Sequence, residues 1–265
     1  MFKKFLVASC LFVAVGCSTV PITGRRQLSL VSDAEINTLA AQQYREVIGQ
    51  SKLSTNSTQA AMVRRVGQRI QQAVETYFRQ QNAQDQLTGY AWEFNLIQDD
   101  AQQNAWAMPG GKTAVYTGIL PITQDENGLA VVMAHEIAHA VAKHGSERMS
   151  QGLVQQLGGQ ALGAALSTNS ATTQQVALQA FGVGSQLGML RYGRNQESEA
   201  DRLGLIFMAM AGYNPDGAVG FWQRMAARSN GASPPEFLST HPSNETRISD
   251  IQSLLPEARK YYKAR

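Results

Sequence analysis

The chain has 265 residues, a formal net charge of +3, 43% hydrophobic residues and two cysteines. This length suits one large domain or two small ones. Two of the three net positive charges come from Lys3 and Lys4 at the N-terminus, so the remaining chain lacks the basic composition typical of nucleic-acid-binding proteins, and no nucleic-acid partner is expected. Two cysteines are too few for a disulfide scaffold, which means that a hydrophobic core must provide the stability.

The N-terminus resembles a bacterial lipoprotein signal. In residues 1–16, two lysines precede an apolar run that is too short to span a bilayer as a mature helix. A small residue then precedes Cys17, which we expect to be lipidated after cleavage, with 17–31 as a lipidated tether; plain secretion or an uncleaved anchor remain alternatives. Ser18 after the cysteine is typical of outer-membrane sorting in Gram-negative bacteria. The predicted location is therefore lipid-anchored at the outer membrane, facing the periplasm.

Two amphipathic helices follow the predicted tether. Ser32 and Glu35 form an S-x-x-E capping box that predicts the start of the first helix. A second amphipathic pattern predicts a helix over about 58–80. We interpret both as scaffold, and we expect residues 32–265 to form a single domain.

Two strands are predicted next. Residues 91–97 alternate between apolar and polar side chains, which is typical of a half-buried strand. Residues 112–118 form a second strand pattern, and the preceding Pro109 with two glycines favours an edge position, because proline cannot donate to a ladder. An edge strand can bind an extended peptide by strand addition, although it can also be an ordinary strand without a ligand. The predicted substrate strand consists of Lys112, Thr113, Ala114, Val115, Tyr116 and Thr117.

A third helix, starting near residues 125–128, carries the pattern H-E-x-x-H. Its histidines, His135 and His139, are four residues apart and share one helical face, so both imidazoles can bind one metal ion. Glu136 is placed to act as a base on a water at that ion. His144 lies five residues beyond His139, about 140° around a continuous helix, and we predict a capping or surface role for it.

A zinc site needs a third protein ligand. Glu197 and Asp201 share a face of a later predicted helix, so Glu197 could bind the metal while Asp201 orients a histidine. Glu199 is offset by about 200° and should point elsewhere. A solvated helix face is the alternative for this pair, and His241 is another possible ligand.

The region 151–190 contains no charged residue and is rich in glycine, alanine and glutamine. Its glutamines argue against a membrane span. We expect two loosely packed helices, with a mobile lid or a surface that contacts unfolded substrate or membrane as the alternative.

Three motifs together resemble the gluzincin metallopeptidases, the family that includes CAAX prenyl proteases, HtpX, and the LoiP-like and BepA-like envelope lipoprotein proteases. They are H-E-x-x-H at 135–139, E-x-x-x-D at 197–201 and T-H-P-S-N-x-x-R at 240–247. The resemblance implies an α+β, predominantly helical zincin-type domain with a small antiparallel or mixed sheet beside the active-site helix.

The resemblance also assigns roles to individual residues. It implies one Zn²⁺ per chain, held by His135, His139 and Glu197. The implied catalytic residues are Glu136 as the base and Asp201 as the orienting carboxylate. A role in latency or in stabilising the oxyanion is implied for His241 and Arg247.

The implied function is a zinc-dependent endopeptidase that hydrolyses misfolded or misassembled envelope and outer-membrane proteins. The alternative is a zinc-stabilised periplasmic chaperone, or an outer-membrane protein assembly factor, with latent protease activity. The expected partners are unfolded or misassembled envelope proteins, outer-membrane assembly machinery, and the outer membrane itself through the lipid anchor.

Overall fold

The computed structural model describes residues 17–20, 23–157, 193–229, 235–241 and 246–264. The predicted signal peptide and most of the uncharged region lie outside these ranges. The strands are β1 (Cys17–Thr19), β2 (Arg26–Leu28), β3 (Glu93–Ile97), β4 (Ala105–Met108) and β5 (Lys112–Tyr116).

The helices of the described residues follow in chain order. They are α1 (Asp33–Gln50), α2 (Ser57–Gln80), α3 (Leu120–Thr123), α4 (Glu126–Val141), α5 (His144–Leu157), α6 (Arg194–Met210), α7 (Gly217–Ser229), α8 (Phe237–Thr240) and α9 (Arg247–Ala258). Single 3₁₀ turns lie at Gln84–Leu87, Thr117–Ile119 and Arg259–Tyr261. The expected α+β, mainly helical fold is confirmed.

The two scaffold helices begin where their caps predict. The Ser32 side chain accepts a hydrogen bond from the backbone N–H of Glu35, and the Glu35 carboxylate accepts one from the backbone N–H of Ser32. The side chain of Asn56 caps α2 by accepting a hydrogen bond from the backbone N–H of Gln59. Helix α2 packs on both α4 and α6, so it supports the site from behind.

The sheet has three strands in the order β3–β5–β4 and is mixed, with β3 parallel and β4 antiparallel to β5. The predicted edge position of Lys112–Thr117 is wrong, because β5 is the central strand and Thr117 begins a 3₁₀ turn. Pro109 lies in the turn between β4 and β5. Gly110 and Gly111, with φ of 80° and 82°, reverse the chain so that β4 folds back along β5. Strand β4 is the outer strand that packs along α4.

Helix α4 lies at the centre of the core, and all its residues from Gly128 to Val141 are buried. Helix α6 packs closely against it at Gly204. A Cβ on Gly204 would lie 3.0 Å from the backbone nitrogen of His135 and 3.1 Å from its Cα. Because glycine allows this approach, side chains from the first turns of α6 reach the histidines of α4.

The N-terminal segment is packed against the domain, which differs from the expected tether. Strands β1 and β2 form an antiparallel pair, and Val20 between them is fully buried in the main core. Arg25 adds ion pairs to Glu147 and Glu199, which explains why this segment is held in place. Lipidation of Cys17 stays a prediction. None of the helices in the described ranges has the length and hydropathy needed to span a membrane.

Candidate metal centre

Four buried side chains converge at the centre of the domain. His135 and His139 come from α4, Glu197 comes from α6, and His241 directly follows α8. One ligand-type atom from each lies within 4.8 Å of all the others. The structure therefore brings together the three predicted zinc ligands and also His241.

The spacing of these atoms fits a tetrahedral zinc ion. The Nε2 atom of His135 lies 3.1 Å from Nε2 of His139 and 3.2 Å from Nδ1 of His241. Oε1 of Glu197 lies 3.4 Å from Nε2 of His139. Zinc bound at about 2.0–2.1 Å in tetrahedral geometry places its ligand atoms about 3.3 Å apart. The three protein ligands of a catalytic zinc are thus present, and the nitrogen of His241 lies where a fourth ligand would be.

Asp201 lies beside the first histidine, at the position where the sequence placed an orienting carboxylate. Its Oδ1 lies 3.0 Å from Nδ1 of His135 and accepts a hydrogen bond of 2.7 Å from Nη2 of Arg247. A proton on Nδ1 of His135 leaves the lone pair of Nε2 for the metal.

Arg247 is buried beside the ligands and contacts Glu197 and Asp201 of α6. Its Nη1 donates to Oε2 of Glu197 at 2.8 Å, its Nη2 donates to Asp201, and its guanidinium lies 3.5 Å above the ring of Trp222. Because both terminal nitrogens donate to carboxylates, the predicted oxyanion role of Arg247 does not match this geometry. The contacts indicate a residue that balances buried negative charge and positions a ligand.

Burial and neighbouring charges set the protonation of the cluster. Burial lowers the pKa of His135, but hydrogen bonds to Asp201 and Glu197 outweigh it and raise the pKa to about 9. Burial holds the pKa of His139 well below its ordinary value. Burial also opposes ionisation of Glu197, yet the charge of His241 and hydrogen bonds from the histidines keep its pKa well below 4.5. A histidine binds a metal only in its neutral form, so zinc binding and protonation compete at Nε2 of His135.

Glu136 lies beside the ligand atoms as the motif predicts. Its side chain is 2% exposed, and its Oε1 lies 3.3 Å from Nε2 of His241. Burial raises the pKa of Glu136 above its ordinary value. A carboxylate with a raised pKa is a better proton acceptor near neutral pH, which suits a general base.

Two residues that the sequence interpretation set aside belong to the surroundings of the site. His144 is fully buried, with its Nδ1 2.8 Å from Nδ1 of His139 and its Nε2 2.8 Å from Oε2 of Glu199. The predicted surface or capping role of His144 is wrong, although it does not belong to the metal-facing group. A separation of about 140° applies only to one continuous helix, whereas α4 ends at Val141 and the positive φ of Lys143 redirects the chain.

The signal for this contact was in the sequence. The spacing H-x-x-x-x-H from His139 to His144 and the second acid of E-x-E at Glu199 accompany the zinc motif. A histidine and a carboxylate need partners when buried, and each is a partner of the other here.

A helix that carries H-E-x-x-H, completed by a glutamate from a second helix, defines the gluzincin class of zinc metallopeptidases. The sequence profile of peptidase family M48 matches residues 64–255, more than half of the chain, and the chain belongs to this family. The resemblance found in the motifs is therefore confirmed, as is zinc as the metal.

Several relatives are metalloendopeptidases by name. The mitochondrial metalloendopeptidase OMA1 of Schizosaccharomyces pombe is 35% identical over 243 residues, which covers 90% of this chain and 66% of that protein. The mitochondrial metalloendopeptidase OMA1 of Saccharomyces cerevisiae is 29% identical over 271 residues, covering 98% of this chain and 76% of that protein. The β-barrel assembly-enhancing protease of Escherichia coli K12 is 31% identical over 169 residues, covering 61% of this chain and 34% of that protein.

These alignments have two consequences. The chain spans just under two thirds of the fission yeast relative and about one third of the β-barrel assembly-enhancing protease. Three relatives whose alignments cover nine tenths or more of the chain are mitochondrial proteins by name, which conflicts with a lipid-anchored position at a Gram-negative outer membrane. The prediction of a lipid-anchored position at the outer membrane is therefore wrong.

Proposed function

We propose that this protein is a zinc-dependent endopeptidase that hydrolyses internal peptide bonds of unfolded or misassembled polypeptides. The observation that carries the proposal is a buried carboxylate, Glu136, adjacent to three zinc-ligand side chains that converge at tetrahedral spacing. Family membership and relatives named metalloendopeptidases support it.

Each polar residue of the centre has its own role in peptide hydrolysis. When bound, zinc lowers the pKa of water to about 7 and polarises a carbonyl oxygen. Glu136 takes the proton of the attacking water and passes it to the leaving amine. Asp201 keeps His135 in the tautomer that directs Nε2 to the centre, and Arg247 balances the charges of Glu197 and Asp201. Burial of all these groups excludes bulk water, which strengthens the electrostatic interactions.

Strand β4 is the better candidate for the substrate strand that the sequence placed on β5. It is an outer strand and packs along α4, which carries Glu136. All four residues of β4 are buried in this arrangement, so an extended, unfolded chain could pair with its outer edge by strand addition only after the segment at Phe237 that covers the start of this strand moves. The name of the β-barrel assembly-enhancing proteases supports misassembled β-barrel proteins as the substrate class. Assembly machinery as a partner stays a prediction.

A second candidate function is a zinc-stabilised chaperone or assembly factor with latent proteolysis. The position of His241 favours it, because a catalytic zinc keeps its fourth position for water or substrate. The backbone N–H of Phe237 donates to the carbonyl of Gln103 just before β4, and the Phe237 ring stacks on the ring of His241 at 4.4 Å. One short segment therefore covers the start of β4 and also places His241 at the cluster. In this arrangement the metal centre is closed to substrate.

Digestion of an unfolded β-barrel protein separates the two functions. We expect the zinc-loaded protein to cleave it, and Glu136→Gln to keep zinc without cleaving. An endopeptidase held latent by His241 should cleave faster when His241 is replaced by alanine. Equal, negligible cleavage by the native protein, Glu136→Gln and His241→Ala, all with zinc bound, would refute the endopeptidase and favour the chaperone.

A further inference from the structure

A continuous chain of contacts leads from a zinc ligand to the N-terminal segment. Nδ1 of His139 contacts Nδ1 of His144, whose Nε2 contacts Oε2 of Glu199. The same Oε2 accepts a hydrogen bond of 2.9 Å from Nε of Arg25, and the Thr23 hydroxyl donates to Oε1. Three segments thus meet at Glu199, namely α6, the start of α5 and the N-terminal segment, and His144 links them to α4.

The hydrogen positions in this chain follow from its two ends. His139 faces the metal with Nε2, so Nε2 must keep its lone pair and the proton lies on Nδ1. That proton is donated to Nδ1 of His144, which must then carry its own proton on Nε2. Nε2 of His144 donates to the carboxylate of Glu199. Every contact then pairs one donor with one acceptor, in a single direction.

This arrangement gives each zinc-ligand histidine its own carboxylate. His135 contacts Asp201 directly, whereas His139 reaches Glu199 through His144. Such outer contacts fix the tautomer and orientation of a ligand ring and raise its basicity.

Arg25 joins two buried acids at the end of this chain of contacts. Nη1 and Nη2 of Arg25 donate to Glu147 at 3.0 Å and 2.8 Å, while Nε of Arg25 donates to Glu199. Glu147 and Glu199 are each 7% exposed. Two neighbouring buried carboxylates need a cation, and the residue that supplies it lies immediately before β2.

We propose that His144 and Glu199 are positioning residues for the zinc ligand His139, and that Arg25 couples the N-terminal segment to the metal centre through them. The proposal rests on the zinc site of the proposed endopeptidase. It assigns a function in metal binding to the segment that the sequence interpretation treated as a tether.

Zinc affinity of the full chain tests this directly, through competition with a chromophoric chelator. We expect His144→Leu to weaken zinc binding about 10- to 100-fold, the range typical of lost outer contacts. His144→Asn should recover most of the affinity, because its amide oxygen can accept the proton of His139. Glu199→Gln should weaken binding less than His144→Leu, because it removes charge but keeps an acceptor.

The N-terminal link has a matched control in the neighbouring residue. Arg26 is exposed, whereas Arg25 donates to both acids. Arg25→Gln should weaken zinc binding, and Arg26→Gln should not. The visible spectrum of the Co²⁺-substituted protein provides a second readout, and we expect it to shift in His144→Leu and Arg25→Gln but not in Arg26→Gln.

Circular dichroism of each metal-free variant distinguishes a changed site from a lost fold. Native zinc affinity and an unchanged Co²⁺ spectrum in folded His144→Leu and Glu199→Gln would overturn the positioning role. Equal effects of Arg25→Gln and Arg26→Gln would overturn the N-terminal coupling. If His144→Leu does not fold, Glu199→Gln and the arginine pair decide the question. Tight zinc binding without any proteolysis would refute the proposed function and leave this inference standing.

Discussion

The close approach of α4 and α6 at Gly204 can be tested by adding one methyl group. In Gly204→Ala, the new Cβ would lie 3.0 Å from the nitrogen of His135, 3.1 Å from its Cα and 3.2 Å from the carbonyl carbon of Ala134. These are backbone atoms of a helix that is buried along its length, so they cannot rotate away as a side chain could. The two helices must separate by a few tenths of an ångström.

The expected free-energy change is the difference between two opposing effects. Alanine is favoured over glycine inside a helix by about 1 kcal/mol. Overpacking of a close-packed core costs about 1–3 kcal/mol. We therefore expect Gly204→Ala to lower the free energy of unfolding by up to about 2 kcal/mol. Zinc affinity should fall as well, because α6 also carries Glu197 and Asp201.

Gly49→Ala is the matched control, since Gly49 also lies in a helix and a Cβ there would meet nothing within 4 Å. It should leave zinc affinity unchanged and raise the free energy of unfolding by up to about 1 kcal/mol. Urea denaturation of the metal-free proteins, with zinc titration of each, measures both quantities. If Gly204→Ala is as stable as Gly49→Ala and binds zinc like the native protein, the approach of the helices does not set the site.

Other predictions follow from single contacts. Glu136→Gln should lower the rate constant of cleavage at least about 10²- to 10⁴-fold while zinc content stays at one ion per chain, as measured by digestion and metal analysis. His241→Ala should raise the cleavage rate, and an unchanged rate would exclude a closed state held by this histidine. Removal of zinc by a chelator should lower the melting temperature, because the metal binds only the folded chain, and addition of zinc should restore it. A hydrogen bond from Arg65 holds the pKa of Glu126 in the folded protein below 4.5, its ordinary value. The stability that this contact provides is therefore fully present above pH 4.5, and it is lost as the pH falls through the pKa of the folded state. The deficit of Glu126→Gln in thermal melts should therefore shrink below about pH 4.5, and a deficit that persists would contradict this contact.

The parts of the site that follow from local geometry could be predicted from the sequence. The spacing of His135 and His139 fixes their common face in any helix, and the same holds for Glu197 and Asp201. Capping residues set the start of α1 for an equally local reason. Strand order could not be predicted in this way. Whether β5 is central or outer depends on the turn at Gly110 and on pairing between distant segments.

His144 shows a second limit of local reasoning. Counting 100° per residue is valid only while the helix continues. The positive φ of Lys143 redirects the chain, so that His144 contacts Nδ1 of His139, the ring nitrogen opposite the metal-facing Nε2. Its burial also depends on Glu199 and Arg25, which are distant in the sequence. Helical angles therefore cannot exclude a residue from a site when the helix ends between that residue and the site.

The segment from Glu197 to Gly204 is better understood as one functional unit than as an E-x-x-x-D pair. Glu197 is the ligand, Glu199 supports His144, Asp201 supports His135, and Gly204 lets the two helices approach closely enough for all three carboxylates to reach their partners. Two of these carboxylates face α4 directly, while Glu199 points toward the start of α5, where the chain turns after α4. A substitution at Gly204 should therefore disturb both histidine ligands together, whereas Glu199→Gln should affect His139 alone.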